Sequence, residues 1–218
     1  MANEFWLDYR KQRLVFTSPD RCPICHSFVT IEGPVAHVFD DLKAQIVFRC
    51  PNYDCGRLFI AYYFLKPRSE PVLLTMQPSE VAHEQMPKVI EEISPDFVSI
   101  YREAHTAKEK ELLQICGPGY RKAFEFLIKD YAKRQVASEE EKSAIEKAFS
   151  GKVVKDYIGD PRIQAVAKRA LWLGNDETHY LRKWTDHDIE DLITLIHLTV
   201  RWIEIEQLTQ KYADDMPD

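Results

Sequence analysis

The chain has 218 residues, enough for one large domain or two small ones. Its hydrophobic (45%) and charged (29%) fractions are ordinary for a globular protein. Its start has neither a basic segment nor an unbroken apolar run, and no stretch approaches the ~18 apolar residues of a membrane span, so a cytoplasmic, membrane-free protein is expected. The net charge of −6 falls on residues 91–218, because residues 1–90 hold ten Lys/Arg and ten Asp/Glu. Neither part has the basic footprint of a general nucleic-acid binder.

The first part of the chain reads as strands. The runs at 14–16, 28–31, 35–39, 45–48 and 58–65 are short and rich in β-branched and aromatic residues. Turn signals such as Gly33-Pro34 and Asp40-Asp41 separate them. Four cysteines punctuate this region as C-x2-C, twenty-four residues, then C-x4-C: Cys22, Cys25, Cys50 and Cys55. Two close pairs around a strand-rich insert are the pattern of a zinc ribbon. The turn at Cys22-Pro23-Ile24-Cys25 places two sulfurs at once, and Gly56 relieves the backbone after the last ligand. Four thiolates fill a tetrahedral shell and leave no position for water, which makes the expected site structural, with one zinc per chain; iron suits the same ligands. The competing arrangements are a pair of disulfides, which belongs to exported proteins, and four unrelated buried thiols. His26 and His37 are surplus to the ligand set, and Cys116 reads as a small buried hydrophobe.

Residues 67–93, with prolines at 67, 71, 78 and 87, read as a connector holding one strand at 72–76. From residue 94 the period becomes helical. Ser94-Pro95-Asp96 is a helix start. A second helical segment runs from about 108 to 134, and Gly117-Pro118-Gly119 should kink or break it. Ser138 opens a third, ending at Gly151. Asp160-Pro161 opens a fourth, ending near Gly174 as a left-handed cap. Thr185-Asp186-His187-Asp188 resembles a capping box and opens the last helix. There Ile189, Leu192, Ile193, Ile196, Val200 and Ile203 form one apolar stripe, widened by Leu195, Leu198, Trp202 and Ile205. The expected fold is therefore α+β: a β-rich zinc ribbon over 1–66, the connector over 67–93, and a mainly α antiparallel bundle over 94–218.

Three segments of the helical part carry a resemblance. They are Tyr101-Arg102-Glu103-Ala104, Tyr120-Arg121-Lys122-Ala123-Phe124-Glu125-Phe126-Leu127, and Leu173-Gly174-Asn175-Asp176-Glu177-Thr178-His179. In this order, before a long terminal helix, they resemble the bacterial domain of unknown function 4145, which is similar to the HEPN superfamily of helical bundles. The resemblance covers roughly 94–210. It implies a bacterial stress or anti-phage setting and, since such domains commonly pair, a homodimer through the last helix.

HEPN ribonucleases carry an Arg followed, after four to six intervening residues, by a His near the start of the last helix. Counting back from His179, those positions hold Trp172, Leu173 and Gly174, and Arg169 lies too far away. Arg182 and His187 do have the spacing. With seven histidines and thirteen arginines in the chain, however, chance supplies roughly one such pair. Gly174, Asn175 and His179 have a structural reading as a helix end, a cap and a buried bonded histidine. Their functional reading is a polar cluster of Arg121, Glu125, Asn175 and His179 on facing helices. Lys168, Arg169, Arg182 and Lys183 read as a solvated face. The leading expectation is a non-catalytic binding or regulatory module with a protein or RNA partner. The alternatives are a metal-independent endoribonuclease using Arg182 and His187, or His179 with an Arg from elsewhere, and a nucleic-acid adaptor.

Overall fold

Alternation governs the first part of the chain. Along Lys43–Arg49 and Leu58–Phe64, every second side chain (Ala44, Ile46, Phe48; Phe59, Ala61, Tyr63) is buried and the intervening ones are not, as a half-buried sheet requires. The computed structural model describes residues 4–9, 12–28, 35–40, 42–66 and 69–216. Its α+β chain divides into two compact units, Met1–Ala82 and His83–Asp218.

In the first unit, β1 (Glu4–Tyr9) and β2 (Gln12–Thr17) form a two-stranded antiparallel ribbon. A second antiparallel sheet runs in the order β3 (Val35–Asp40), β4 (Lys43–Arg49), β5 (Leu58–Phe64), β6 (Val72–Gln77). The expected strands at 14–16, 35–39, 45–48 and 72–76 lie within β2, β3, β4 and β6, and that at 58–65 ends one residue earlier as β5. Of the run at 28–31, Phe28 makes a single bridge to Arg21 and the remainder lies outside the described residues. β1 has no counterpart in the sequence reading. The core is aromatic: Phe5 stacks on Phe16 at 5.2 Å, Phe16 meets Tyr63 edge-on at 5.1 Å, and the Tyr63 hydroxyl donates to the Thr17 carbonyl at 2.8 Å.

The proline-rich stretch 67–93 carries structure of its own. β6 completes the sheet, and a short helix, α1 (Lys88–Ile93), sends Ile90 and Ile93 into the core of the second unit. That unit continues through α2 (Pro95–Glu109), α3 (Leu113–Arg134), α4 (Glu139–Lys147), α5 (Ser150–Tyr157), α6 (Pro161–Asp176) and α7 (Ile189–Asp215). The Ser94 hydroxyl caps α2 by accepting from Phe97 N. The last helix does open on a capping box, but three residues later than expected: its members are Asp188 and Asp191. The short side chain that caps is the one directly before the apolar period.

Three further helix boundaries differ from the sequence reading, and each of these concerns a glycine. The break before α3 falls at 110–112, where Glu111 takes φ 58°, and Gly117-Pro118-Gly119 lies inside a continuous helix. So early in α3, Pro118 removes only the bond to the Gln114 carbonyl. The glycines make room: a Cβ on Gly119 would sit 2.9 Å from Ala104 Cβ of α2, and one on Gly117 2.7 Å from Glu177 Cβ. Gly151 does not end a helix. α4 stops at Lys147, and Gly151 lies in the first turn of α5. Gly174 is helical rather than a left-handed cap. α6 runs on to Asp176, and a Cβ at Gly174 would meet the Arg121 stem at 3.2 Å. The core itself follows the predicted stripe: Leu192, Ile196, Val200 and Ile203 of α7 pack with Leu127, Ile128 and Ile163.

Candidate metal centre and basic cavity

The four cysteines come from two turns built alike. In the first, Cys22 N donates to Ser27 O (3.0 Å) and His26 N to Cys22 O (3.0 Å). In the second, Cys50 N donates to Arg57 O (2.9 Å), and Cys55 N and Gly56 N donate to Asn52 O (3.0 and 2.8 Å). The residue after the second cysteine is left-handed in both, His26 at φ 59° and Gly56 at φ 56°. Each turn presents its sulfurs on one side. The Sγ atoms of Cys22 and Cys55 are 4.0 Å apart, those of Cys25 and Cys50 3.7 Å, and all four lie within 4.8 Å of one another. A tetrahedron with metal–sulfur bonds of about 2.3 Å has edges of about 3.8 Å, so the four thiols can hold one metal ion. Cys22 and Cys50 are buried, and Cys25 and Cys55 half-buried. Ile24 N donates to Cys22 Sγ at 3.4 Å, and Asn52 Nδ2 reaches Ser27 Oγ at 3.0 Å. Hydrogen bonding from Ser27 lowers the Cys25 thiol to about 6, whereas burial pushes Cys50 up to about 12. Metal binding therefore has to displace at least the Cys50 proton. His37 is exposed, with its ring stacked 6.4 Å from Phe39. Cys116 is 1% exposed on α3, and burial raises its thiol above the ordinary value.

Of the expected polar cluster, three members come together and one does not. Arg121 and Glu125 of α3 and Asn175 of α6 line a cavity of about 590 Å³, and Arg121 Nε donates to Asn175 Oδ1 at 2.9 Å. The stem of Arg121 lies in the space Gly174 leaves. His179 is exposed in the loop after α6 and does not border the cavity; its backbone N–H bonds Asn175 O at 3.1 Å.

Two helical stripes and a turn build the walls. Arg121, Glu125 and Lys129 recur every four residues on α3, and Gln164, Lys168, Leu171 and Asn175 follow one face of α6. Between them lie Lys147 at the end of α4 and Phe149, Ser150, Val154 and Lys155 at and after the start of α5. Five cations thus face one carboxylate. That carboxylate is already spent, since Lys129 Nζ pairs with Glu125 at 2.8 Å. Among the described residues, Arg121, Lys147, Lys155 and Lys168 form no salt bridge, although Lys155 lies close enough to Asp156 to help lower its carboxyl.

The basic cluster at 168–183 does not act as one face. Lys168 joins the cavity, with Nζ 5.1 Å from the Trp172 ring. Arg182 pairs with Glu177. Lys183 lies 5.9 Å from the Trp184 ring. Arg182 and His187 engage different partners, because His187 Nδ1 pairs with Asp191 at 3.0 Å. His187 instead borders a second hollow of about 270 Å³ with Arg169, Trp172, Trp184 and Asp191, where the two indoles stack at 5.7 Å. The sequence reading missed Lys129, Lys147, Lys155 and Gln164. For Lys129 and Gln164 the signal available was the four-residue recurrence of polar groups on two helices that also carry an apolar face; Lys147 and Lys155 lie outside those two stripes.

Compared with protein-family models, with curated proteins and with solved structures, the chain matches none of them. Among the described residues, no helix is long and apolar enough to cross a membrane.

Proposed function

We propose that the protein is a non-catalytic binding or regulatory module: a zinc ribbon, stapled by Cys22, Cys25, Cys50 and Cys55, followed by a HEPN-like helical bundle that receives a ligand in its basic cavity. The observation that carries this reading is the cavity itself. It gathers four cations that form no salt bridge, and among the described residues its one carboxylate pairs with Lys129 and no histidine or cysteine lines it. Such a lining suits the binding of an anion. Four thiolates likewise complete a zinc coordination shell and leave the metal no open position for chemistry.

A second copy of the chain is the proposed partner of α7. Leu198, Ile205 and Tyr212 are exposed at seven-residue intervals, with Leu208 beside them, which is the spacing of a helix–helix seam. Trp202 contributes less than the sequence suggests, because Arg162 covers its ring at 4.5 Å.

The endoribonuclease reading keeps one specific support, the hollow that holds Arg169, His187, Asp191 and the stacked indoles. Arg169 Nη1 is engaged by the Ala165 carbonyl at 2.7 Å and His187 by Asp191. One experiment separates the readings. Mixed single-stranded and structured RNAs are incubated without divalent metal with the wild type and with His187→Ala, His179→Ala and Arg169→Ala. The module reading expects intact RNA throughout. Cleavage by the wild type that vanishes in one variant would replace it with the nuclease reading.

A further inference from the structure

We infer that the cavity between α3, α4, α5 and α6 binds a small molecule carrying a diphosphate group. The inference rests on the binding-module reading above and specifies its ligand. Gathering like charges costs energy unless a counter-charge is present, and the chain has no general excess of cations to scatter, since its net charge is −6. Arg121, Lys147, Lys155 and Lys168 nevertheless line one hollow from four separate helices; none of them forms a salt bridge among the described residues, and Asp156, the acid beside Lys155, does not line the hollow.

The donors differ in preparation. Arg121 is preset: Gly174 accommodates its stem and Asn175 accepts from Nε, which leaves the terminal guanidinium nitrogens for a phosphate, the anion whose paired oxygens match that fork. The three lysines supply point charges. Four positive charges suit a diphosphate better than a single phosphomonoester. A divalent cation does not suit the site, because Glu125, its one carboxylate among the described residues, is occupied by Lys129. The remaining wall is apolar: Ala148, Phe149, Val154, Leu171 and Trp172. Phe149 is 90% exposed and Trp172 40%. That side fits the organic remainder of the ligand, and a volume of about 590 Å³ lies within the usual range for small-molecule sites.

The test is titration calorimetry on the full chain as purified, with pyrophosphate, ATP, inorganic phosphate and a single-stranded RNA as separate probes. Pyrophosphate and ATP are expected to bind, with inorganic phosphate weaker by roughly tenfold. Lys147→Ala and Lys155→Ala should each weaken pyrophosphate by about tenfold, the size of one lost charge-assisted contact. Lys211→Ala, on the exposed end of α7, should bind like the wild type. The inference is overturned if no small anion binds at millimolar concentration, if inorganic phosphate binds as tightly as pyrophosphate, or if Lys211→Ala loses affinity equally. Tighter binding of RNA through the same two lysines would also overturn it. RNA cleavage in the assay above would remove the module reading alone, whereas absent anion binding without cleavage would remove only this inference.

Discussion

Replacing Cys50 by serine should unfold the first unit and leave the second intact. The first unit spans Met1–Ala82, and at ~0.05–0.15 kcal/mol per residue a domain of that length is stable by about 4–12 kcal/mol. A structural zinc in a small domain contributes ~10–16 kcal/mol of apparent binding free energy. The metal is thus worth as much as the whole fold it sits in. Cys50 is 2% exposed, so the serine cannot be hydrated in place and donates a poorer ligand to the remaining three. The second unit has a separate core, in which Leu127, Ile128, Ile163, Ile196 and Ile203 are each 0% exposed. The assay joins elemental analysis with thermal melting followed by far- and near-ultraviolet circular dichroism. The wild type should carry one metal per chain. The variant should carry none, lose near-ultraviolet signal and its β transition, and keep the helical one. A metal-free variant that retains both transitions would refute the reasoning, as would freshly purified, reduced wild type without metal.

Three further outcomes follow from local geometry. Gly119→Ala should destabilise the second unit by about 1–3 kcal/mol in chemical denaturation, because the new Cβ meets Ala104 at 2.9 Å; the gain in helix propensity, up to about 1 kcal/mol, does not offset that. Asp160 caps α6, and its hydrogen bond from Arg162 lowers its carboxyl from the ordinary 3.8 to about 2. A lowered folded value means that its stabilisation is complete above the ordinary value and fades as pH falls through about 2. Asp160→Asn should therefore flatten the melting curve's pH dependence between about pH 4 and about pH 2. Light scattering at micromolar concentration should show a dimer that Ile205→Glu converts to a 25.5 kDa monomer; a wild type that is already monomeric removes the α7 seam.

The residues that were legible in the sequence are those whose role is local. The cysteine spacing, the strand alternation and the caps at Ser94 and Ser138 each depend on neighbours within a few residues, and the structure has them where the sequence placed them. The glycines were misread because a sequence shows only their conformational freedom. Gly117, Gly119 and Gly174 are helical and small for the sake of Glu177, Ala104 and Arg121, partners 15 to 60 residues away. His26 is the reverse case: its left-handed conformation matches that of Gly56, but a histidine gives no sign of it. The cavity was half visible. Arg121, Glu125 and Asn175 were singled out together, while Lys147 and Lys155 come from helices whose facing sides only the packing reveals. Arg182 and His187 have a suggestive spacing, and their side-chain contacts with Glu177 and Asp191 assign each to a helix end instead.

The carboxylate of Asp176 ties the exposed loop after α6 to the end of that helix. Its Oδ2 accepts from the backbone of both Lys183 (2.8 Å) and Trp184 (2.5 Å), and the residue is only 9% exposed. Hydrogen exchange at these two amides is therefore set by fraying of α6 and not by movement of the loop around them. They should exchange slowly and together, while Tyr180 and Leu181, which are almost fully exposed, exchange within the dead time of a manual experiment. A protected pair inside an unprotected segment would act as a built-in reporter on the last turn of α6, which carries Asn175 and, through it, the orientation of Arg121.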